Sequence, residues 1–513
     1  MSESFLTTNQ SRAVSLKDIP VLEYDRFYET VLALMEEEGS HCLNYFAFPF
    51  EGQLRFLCFI AQDTDKNIRI LSHSLEYDVS TGASVQQVFQ LKALTEKCVA
   101  MHIFEREISE NYGIGFTGHP WLKPLRFPHS DGTAVGKIKE YPFYTITSDE
   151  LHEVGVGPVH AGIIEPGHFR FICMGEKVLH LEIQLGYQHR GIEKLIAESS
   201  SGLKTCLLVE NIAGDTAVGH CMAHAALIES LQPVEVPRPL RVERAIALEL
   251  ERIAMHLGDT AALCADIAYQ LGQVVNESLR TLVINTTQLW CGSRFGKGLV
   301  RPLGTNYHMQ HKIAESILKN LDIVLKRYIP MSDKMFSMPS VLSRYDGIAA
   351  LGYDQLRNIG AVGMAARMGG LARDIRKTHP DSIYEKIFPG PVVLDSGDVL
   401  ARALLRRKEI EQSVGLIGEL LSDDIREDAP PGVPDYSTGL AAGAVGVRLV
   451  EGWRGEICHV AVTDDKGKVI HYKVKDPSMH NWMALALAMR NQEISDFPVC
   501  NKSFNLSYCG NDL

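Results

Sequence analysis

The sequence predicts an α+β chain. A small N-terminal α+β domain (residues 1–140) is followed by a linker (141–150) and a large, mainly helical domain with a peripheral β-sheet (151–513). Three observations predict it. Short β-rich runs alternate with helical spacing in the first 140 residues, helical periodicity dominates from 220 to 421, and β patterning returns between 444 and 474. At 513 residues the chain is long enough for more than one buried core.

Taken in order, Asp25–Glu38 has helical spacing, with Phe27, Val31 and Leu34 on one side. Leu54–Ile60 and Ile68–Leu71 are β-rich runs flanking the polar turn Asp63-Thr64-Asp65-Lys66, and Ser84–Leu94 is patterned as a helix. The Pro-, Gly- and Ser-containing stretch from Pro128 leads into the linker. Phe169–Met174 and Lys177–Ile183 read as a hairpin around Gly175-Glu176. Helices are expected at 220–231, Arg238–Gln273, 308–328, 354–360 and 398–421. In the second of these, Ile246, Leu250, Ile253 and Leu257 form an apolar stripe, and the charges opposite are expected to face water or a partner. Strands at Ala444–Val450, Gly455–Thr463 and Val469–Val474, then a helix at Asn481–Arg490, complete the reading.

Composition narrows the function classes. Hydrophobic content of 45% and charged content of 22% are ordinary for a globular protein, and a net charge of −12 argues against a nucleic-acid binder. None of the eleven cysteines forms a Cys-x-x-Cys pair, which suits reduced, buried thiols in a cytoplasm rather than zinc, an iron–sulfur cluster or a disulfide framework. The opening MSESFLTTNQSRAV lacks the pattern of a secretory signal, and no run of about 20 apolar residues is present to span a bilayer.

Several motifs carry more information. Glu105-Arg106-Glu107, Tyr112-Gly113-Ile114, Phe116 and Gly118-His119-Pro120 resemble the signature of the 30-kDa-type subunit of respiratory complex I. Their charges are expected on a solvated helix face, with His119 as a turn histidine. His189-Arg190-Gly191-Ile192-Glu193 and the stretch from Glu210 to His220 resemble the nickel–iron hydrogenase large subunit and its relative, the quinone-site 49-kDa-type subunit of complex I. So do Gly363, Arg367, Gly370, Asp374 and Arg376, the Gly397-Asp398-Val399 element, Glu451-x-x-Arg454-Gly455 and the C-terminal SFNLSYCGNDL. Fusion of the two subunit types in one chain is a trait of some members of this family. Hydrogenases hold their metals with two Cys-x-x-Cys pairs, but here Ala213, Thr216, Ser507 and Gly510 stand at those places. Soft thiolates hold nickel and iron, and these four side chains supply none. The expectation is that this chain binds no nickel–iron centre.

The resemblance implies a cavity in place of the metal, holding a quinone headgroup or another acceptor. By family position its titratable lining is His160, His168, Glu193, Asp215, His220 and Arg454. Asp215 and His220 are expected to handle protons, Arg454 to stabilise negative charge and His168 to contact the acceptor, with His160 and Glu193 as binding residues. Glu193 matches a hydrogenase position that binds magnesium; the competing reading is a carboxylate at a helix start. The first functional reading is an electron-transfer subunit of a complex I-like or energy-converting-hydrogenase-like assembly. Its partners would be an iron–sulfur small subunit and membrane ion-translocating subunits, and it would sit peripherally on the inner face of the cell membrane. The alternatives are a non-catalytic scaffold or coupling subunit of such a complex and, least favoured, a true hydrogenase.

Overall fold

The computed structural model describes residues 4–76, 89–128, 138–160, 164–422 and 432–513. Helix and sheet are mixed throughout, as the α+β reading expects. The N-terminal sheet runs Leu6–Thr8, Asn67–Glu76, Gln53–Gln62, Ser40–Phe50, all antiparallel, with Val21–Leu22 added in parallel to Asn67–Glu76. Ser40–Phe50 escaped the sequence reading because both its faces are covered, so its side chains do not alternate between apolar and polar. On one face lie Phe27, Tyr28 and Val31 of the helix Tyr24–Glu36. On the other, Phe46, Phe48, Leu57 and Phe59 meet Val445, Val447, Val460 and Val462 of a second sheet.

That second sheet orders Val469–Lys475, Glu456–Thr463, Ala444–Glu451 and finally Val14–Ser15, a strand contributed by the N-terminus. Ion pairs close the same junction: Glu456 holds His41 at 2.7 Å and Lys475 at 2.6 Å, and Arg373 reaches Asp63 at 3.2 Å. The third sheet is Lys177–Gln184, His168–Met174 and His152–Val156, the expected hairpin plus one strand.

Four expectations are corrected. Of the predicted helix Ser84–Leu94, residues 84–88 lie outside the described residues, and Gln90–Lys92 is a strand paired in parallel with Gly115–Thr117. The glutamates of the first motif are not a solvated face. Glu105 accepts from the Leu94 and Thr95 amides, Glu110 from the Arg126 and Phe127 amides, and Glu107 binds Arg126 and, at 2.5 Å, Lys473. The motif therefore clasps Leu125–Phe127 and the C-terminal sheet. The third correction concerns Arg238–Gln273, which is two helices, Arg238–Asp266 and Gln270–Cys291. Ala268 turns left-handed (φ 58°) while the Tyr269 amide reaches back to the Cys264 carbonyl, a helix stop usually signalled by glycine.

Last, the polar side of Arg238–Asp266 faces neither water nor a partner. Glu249 pairs with Arg252 (3.1 Å) and Arg376 (3.2 Å), and His256 meets Glu409 at 2.7 Å. Arg367 binds Glu409 and Glu451, both at 2.7 Å. Each of these residues is buried. This network binds the helix to Val399–Ser422 and to the C-terminal sheet.

Candidate functional site

The Glu210–His220 motif enters the helix Ala217–Ser230 and faces the C-terminal segment 505–513. Two arginines stitch these regions together. Arg190 donates to the Ile212 carbonyl (2.9 Å) and to that of Cys509 (3.2 Å). Arg454 donates from Nε to the Asn505 carbonyl (2.6 Å) and grips Asp215 with both terminal nitrogens, at 2.7 and 2.6 Å. The positions matching the two cysteine pairs are therefore neighbours in space, as the family pattern requires.

Each of the four substituted positions has an ordinary packing role. Ala213 is fully buried. Thr216 Oγ1 accepts from Trp453 Nε1 and from Arg454, each at 3.2 Å. Ser507 caps the helix Tyr508–Asp512 by accepting from the Gly510 amide at 2.9 Å. A Cβ on Gly510 would lie 2.7 Å from the Asp476 carboxyl carbon, so a larger residue there must displace that carboxylate. This donor set, one alkyl group, two hydroxyls and no thiolate, does not fit a nickel–iron centre. Among the described residues no group of three His, Cys, Asp or Glu side chains is placed to hold a metal ion.

Asp215 is the exposed edge of the cluster, with 35% of its side chain accessible against 4% for Arg454. Burial works to raise its carboxyl, but the Arg454 charge and hydrogen bonds outweigh it and hold the group below the ordinary range. The Arg454 guanidinium also lies 3.9 Å above the Trp453 ring. Glu251 accepts from the Val218 and Gly219 amides at the start of the Ala217–Ser230 helix (2.8 and 3.1 Å). Burial pushes its carboxyl up to about 8, despite those amides.

His220 does not touch Asp215. Its Nε2 lies 3.1 Å from Asp476 Oδ2 and its Nδ1 3.0 Å from His459 Nε2. His459 Nδ1 lies 2.7 Å from the Tyr472 hydroxyl, which in turn lies 2.9 Å from His224 Nδ1. All five side chains are buried. Desolvation lowers the His459 imidazole well below its usual range and holds His224 at about 4. Asp476 is pushed up by burial, but His220 and Arg454 bring it below the ordinary range. The sequence reading missed Asp476, His459, Tyr472 and His224. A signal existed: His220 and His224 are four apart on one helix, while Tyr472, Val474 and Asp476 alternate along one strand and its end.

The remaining predicted residues sit elsewhere. Glu193, in the first turn of Ile192–Glu198, pairs with Lys473 at 3.0 Å and accepts from the Val474 amide at 2.8 Å, with Arg126 at 3.6 Å. Two cations already neutralise Glu193 and Glu107, a setting that does not fit magnesium. His168 packs on Phe143 (4.9 Å between centroids) and His160 on Phe169 (5.8 Å). Each has a buried Nε2 without a hydrogen-bond partner. Burial lowers both imidazoles. Between them in sequence, Glu165 accepts from the Cys509 amide at 3.3 Å, which brings this loop onto the C-terminal motif. A cleft of about 1230 Å³ lies apart from all of these, between Gln10–Ser15, the end of the Ala217–Ser230 helix and Ile375–Asp381.

Comparison with known proteins agrees with the motifs. Residues 272–430 match the family model of the respiratory-chain NADH dehydrogenase 49-kDa subunit. Hydrogenase-4 component G of Escherichia coli is 27% identical over 429 residues, covering 80% of this chain and 73% of that protein. The C/D-type subunit of NADH-quinone oxidoreductase from Phocaeicola vulgatus is 27% identical over 390 residues, covering 68% and 73%. A chain of the archaeal membrane-bound sulfane sulfur reductase superposes with a TM-score of 0.67 at 22% identity, covering 72% of this chain and all of that one, and so shares the fold. The 49-kDa-type match covers residues 272–430, the relatives include hydrogenase-4 and complex I-type subunits, and a fused C/D-like architecture fits them. No helix among the described residues is long and apolar enough to cross a membrane.

Proposed function

We propose that this chain is the acceptor-site subunit of a membrane-associated complex related to complex I and the energy-converting hydrogenases. It receives electrons from an iron–sulfur partner and supports reduction of a quinone-like acceptor without nickel or iron of its own. The observation that carries this reading is the pairing of two charged clusters at the substituted motifs: Asp215–Arg454 at the accessible edge and His220–Asp476 behind it. The first offers a guanidinium to a developing negative charge, and the second holds an exchangeable proton. On this reading Arg454 stabilises negative charge and His220 handles a proton, with Asp476 as its partner in place of Asp215, which orients Arg454. The subunit docks peripherally on the inner face of the membrane, through iron–sulfur and ion-translocating partners.

A second reading, a non-catalytic coupling subunit, draws on a different observation. The bidentate Asp215–Arg454 pair ties the motifs together through Asn505, while the cleft described above lies elsewhere. One experiment separates the two. The complex is purified with its natural partners, metals are measured, and turnover is followed from reduced methyl viologen to decylubiquinone. On the first reading Arg454→Lys lowers turnover at least about tenfold, because a lysine cannot reproduce the bidentate geometry. Unchanged turnover favours the coupling role, and one nickel per chain overturns both.

A further inference from the structure

His220 and His224 lie one turn apart on the helix Ala217–Ser230, which packs on the C-terminal sheet. Register pairs His459 with Val474 and Ala461 with Tyr472, so all four residues share one sheet face. Asp476 continues the same alternation one step beyond the strand. Each of the five polar side chains meets the next, at 3.1, 3.0, 2.7 and 2.9 Å from Asp476 to His224. An apolar core would serve packing alone at least as well as three imidazoles, a phenol and a carboxylate.

The donors and acceptors allow few arrangements. The Asp476 carboxylate only accepts, so His220 Nε2 carries a hydrogen. With His220 neutral, its Nδ1 accepts from His459 Nε2–H, His459 Nδ1 accepts from the Tyr472 hydroxyl, and the Tyr472 oxygen accepts from His224 Nδ1–H. All four bonds then point toward Asp476. With one extra proton on His220, the three bonds from His220 to His224 reverse together.

We propose that His224, Tyr472, His459 and His220 form a buried proton relay that feeds the Asp476 end of the substituted motifs. A proton taken up at His224 Nε2 moves the Nδ1 proton to the Tyr472 oxygen, the phenol proton to His459 Nδ1 and the His459 Nε2 proton to His220 Nδ1. His220 becomes imidazolium beside Asp476 and releases its Nε2 proton there. One proton enters and one leaves, and no residue is oxidised. The inner end is placed for use, because Asp476 lies against Gly510 and within the field of Arg454. The outer end lies within the field of Arg301, which pairs with Glu210 at 2.6 Å near the exposed Asn211. As a supply of protons to a reduced acceptor the relay rests on the function proposed above; as a connected wire it stands on its own.

Two measurements keep these separable. In the full chain labelled with ¹⁵N-histidine, the wire predicts a through-hydrogen-bond N–N coupling between His220 and His459, and Tyr472→Phe shifts the His459 and His224 ring signals. Absence of the coupling, or unshifted signals in Tyr472→Phe, overturns the wire. In the purified complex with methyl viologen and decylubiquinone, Tyr472→Phe is expected to slow turnover at least about tenfold and to raise the solvent deuterium isotope effect. Turnover and isotope effect unchanged in Tyr472→Phe, with turnover lost in Arg454→Lys, would sink the relay and keep the acceptor site. A complex that never reduces decylubiquinone would sink the acceptor reading and leave the coupling measurement to decide the wire. Should Tyr472→Phe fail to fold, His224→Gln at the outer end carries the same readouts.

Discussion

Two buried polar regions of this protein are built differently. Around Arg238–Asp266, Arg252, Arg367 and Arg376 oppose Glu249, Glu409, Glu451 and Asp374, and the arginines cannot give up a proton at any physiological pH. Behind the substituted motifs, His220, His459, Tyr472 and His224 are linked in series through groups that both give and take protons. The first arrangement fixes helices to sheet by charge; the second leaves protons free to shift along fixed atoms. Burial of polar side chains is therefore not a site by itself. The protonation chemistry of the buried groups decides.

The contrast breaks most visibly at Arg367. Arg367→Ala leaves Glu409 and Glu451 without their shared partner in the core, and a loss of about 3–5 kcal/mol is expected in urea unfolding. A loss under about 1 kcal/mol would mean that water replaces the guanidinium, and the network would no longer count as fixed.

Glu251 sharpens the comparison through pH. Its folded carboxyl titrates at about 8, against about 4.3 for an unperturbed glutamate. Between these values the folded state holds a proton that the unfolded state has lost, so its contribution is full at low pH and disappears as pH rises through 8. Glu251→Gln removes that dependence. It is expected to flatten the stability–pH curve and to gain on the order of 2 kcal/mol at pH 8. A curve as steep as the wild type's would show that the carboxyl is ionised in the folded state.

Gly510→Ala probes the junction of relay and motif. Its Cβ would crowd Asp476, costing about 1–3 kcal/mol in thermal unfolding and shifting the His220 ring signals. A variant of wild-type stability and spectrum would place free space where none is seen. The smallest effect is expected for Ser507→Ala, which removes a helix cap at a cost of about 1 kcal/mol. Loss of several times that amount would mean Ser507 does more than cap.

Much of this architecture was legible in the sequence. The hairpin His168–Met174/Lys177–Gln184 and the strands Ala444–Glu451, Glu456–Thr463 and Val469–Lys475 fall within a residue or two of their predicted positions. Their signals are local: alternation within a run, and turn residues beside it. The same locality explains the errors. Ser40–Phe50 is covered on both faces and shows no alternation, and the helix break at Ala268 rests on an alanine in a conformation where glycine is the usual signal.

Residue identity and short-range spacing were enough for the fold class, the order of motifs and the presence of Ala213, Thr216, Ser507 and Gly510 where the resemblance expects cysteines. It took the folded chain to show that Glu193 answers to Lys473, that the charges of Arg238–Asp266 are buried, and that His220 meets Asp476 and His459 instead of Asp215. The Glu193 and His220 contacts join positions more than two hundred residues apart. Partner choice at that range is set by which helix face lands on which strand, and no local pattern records it.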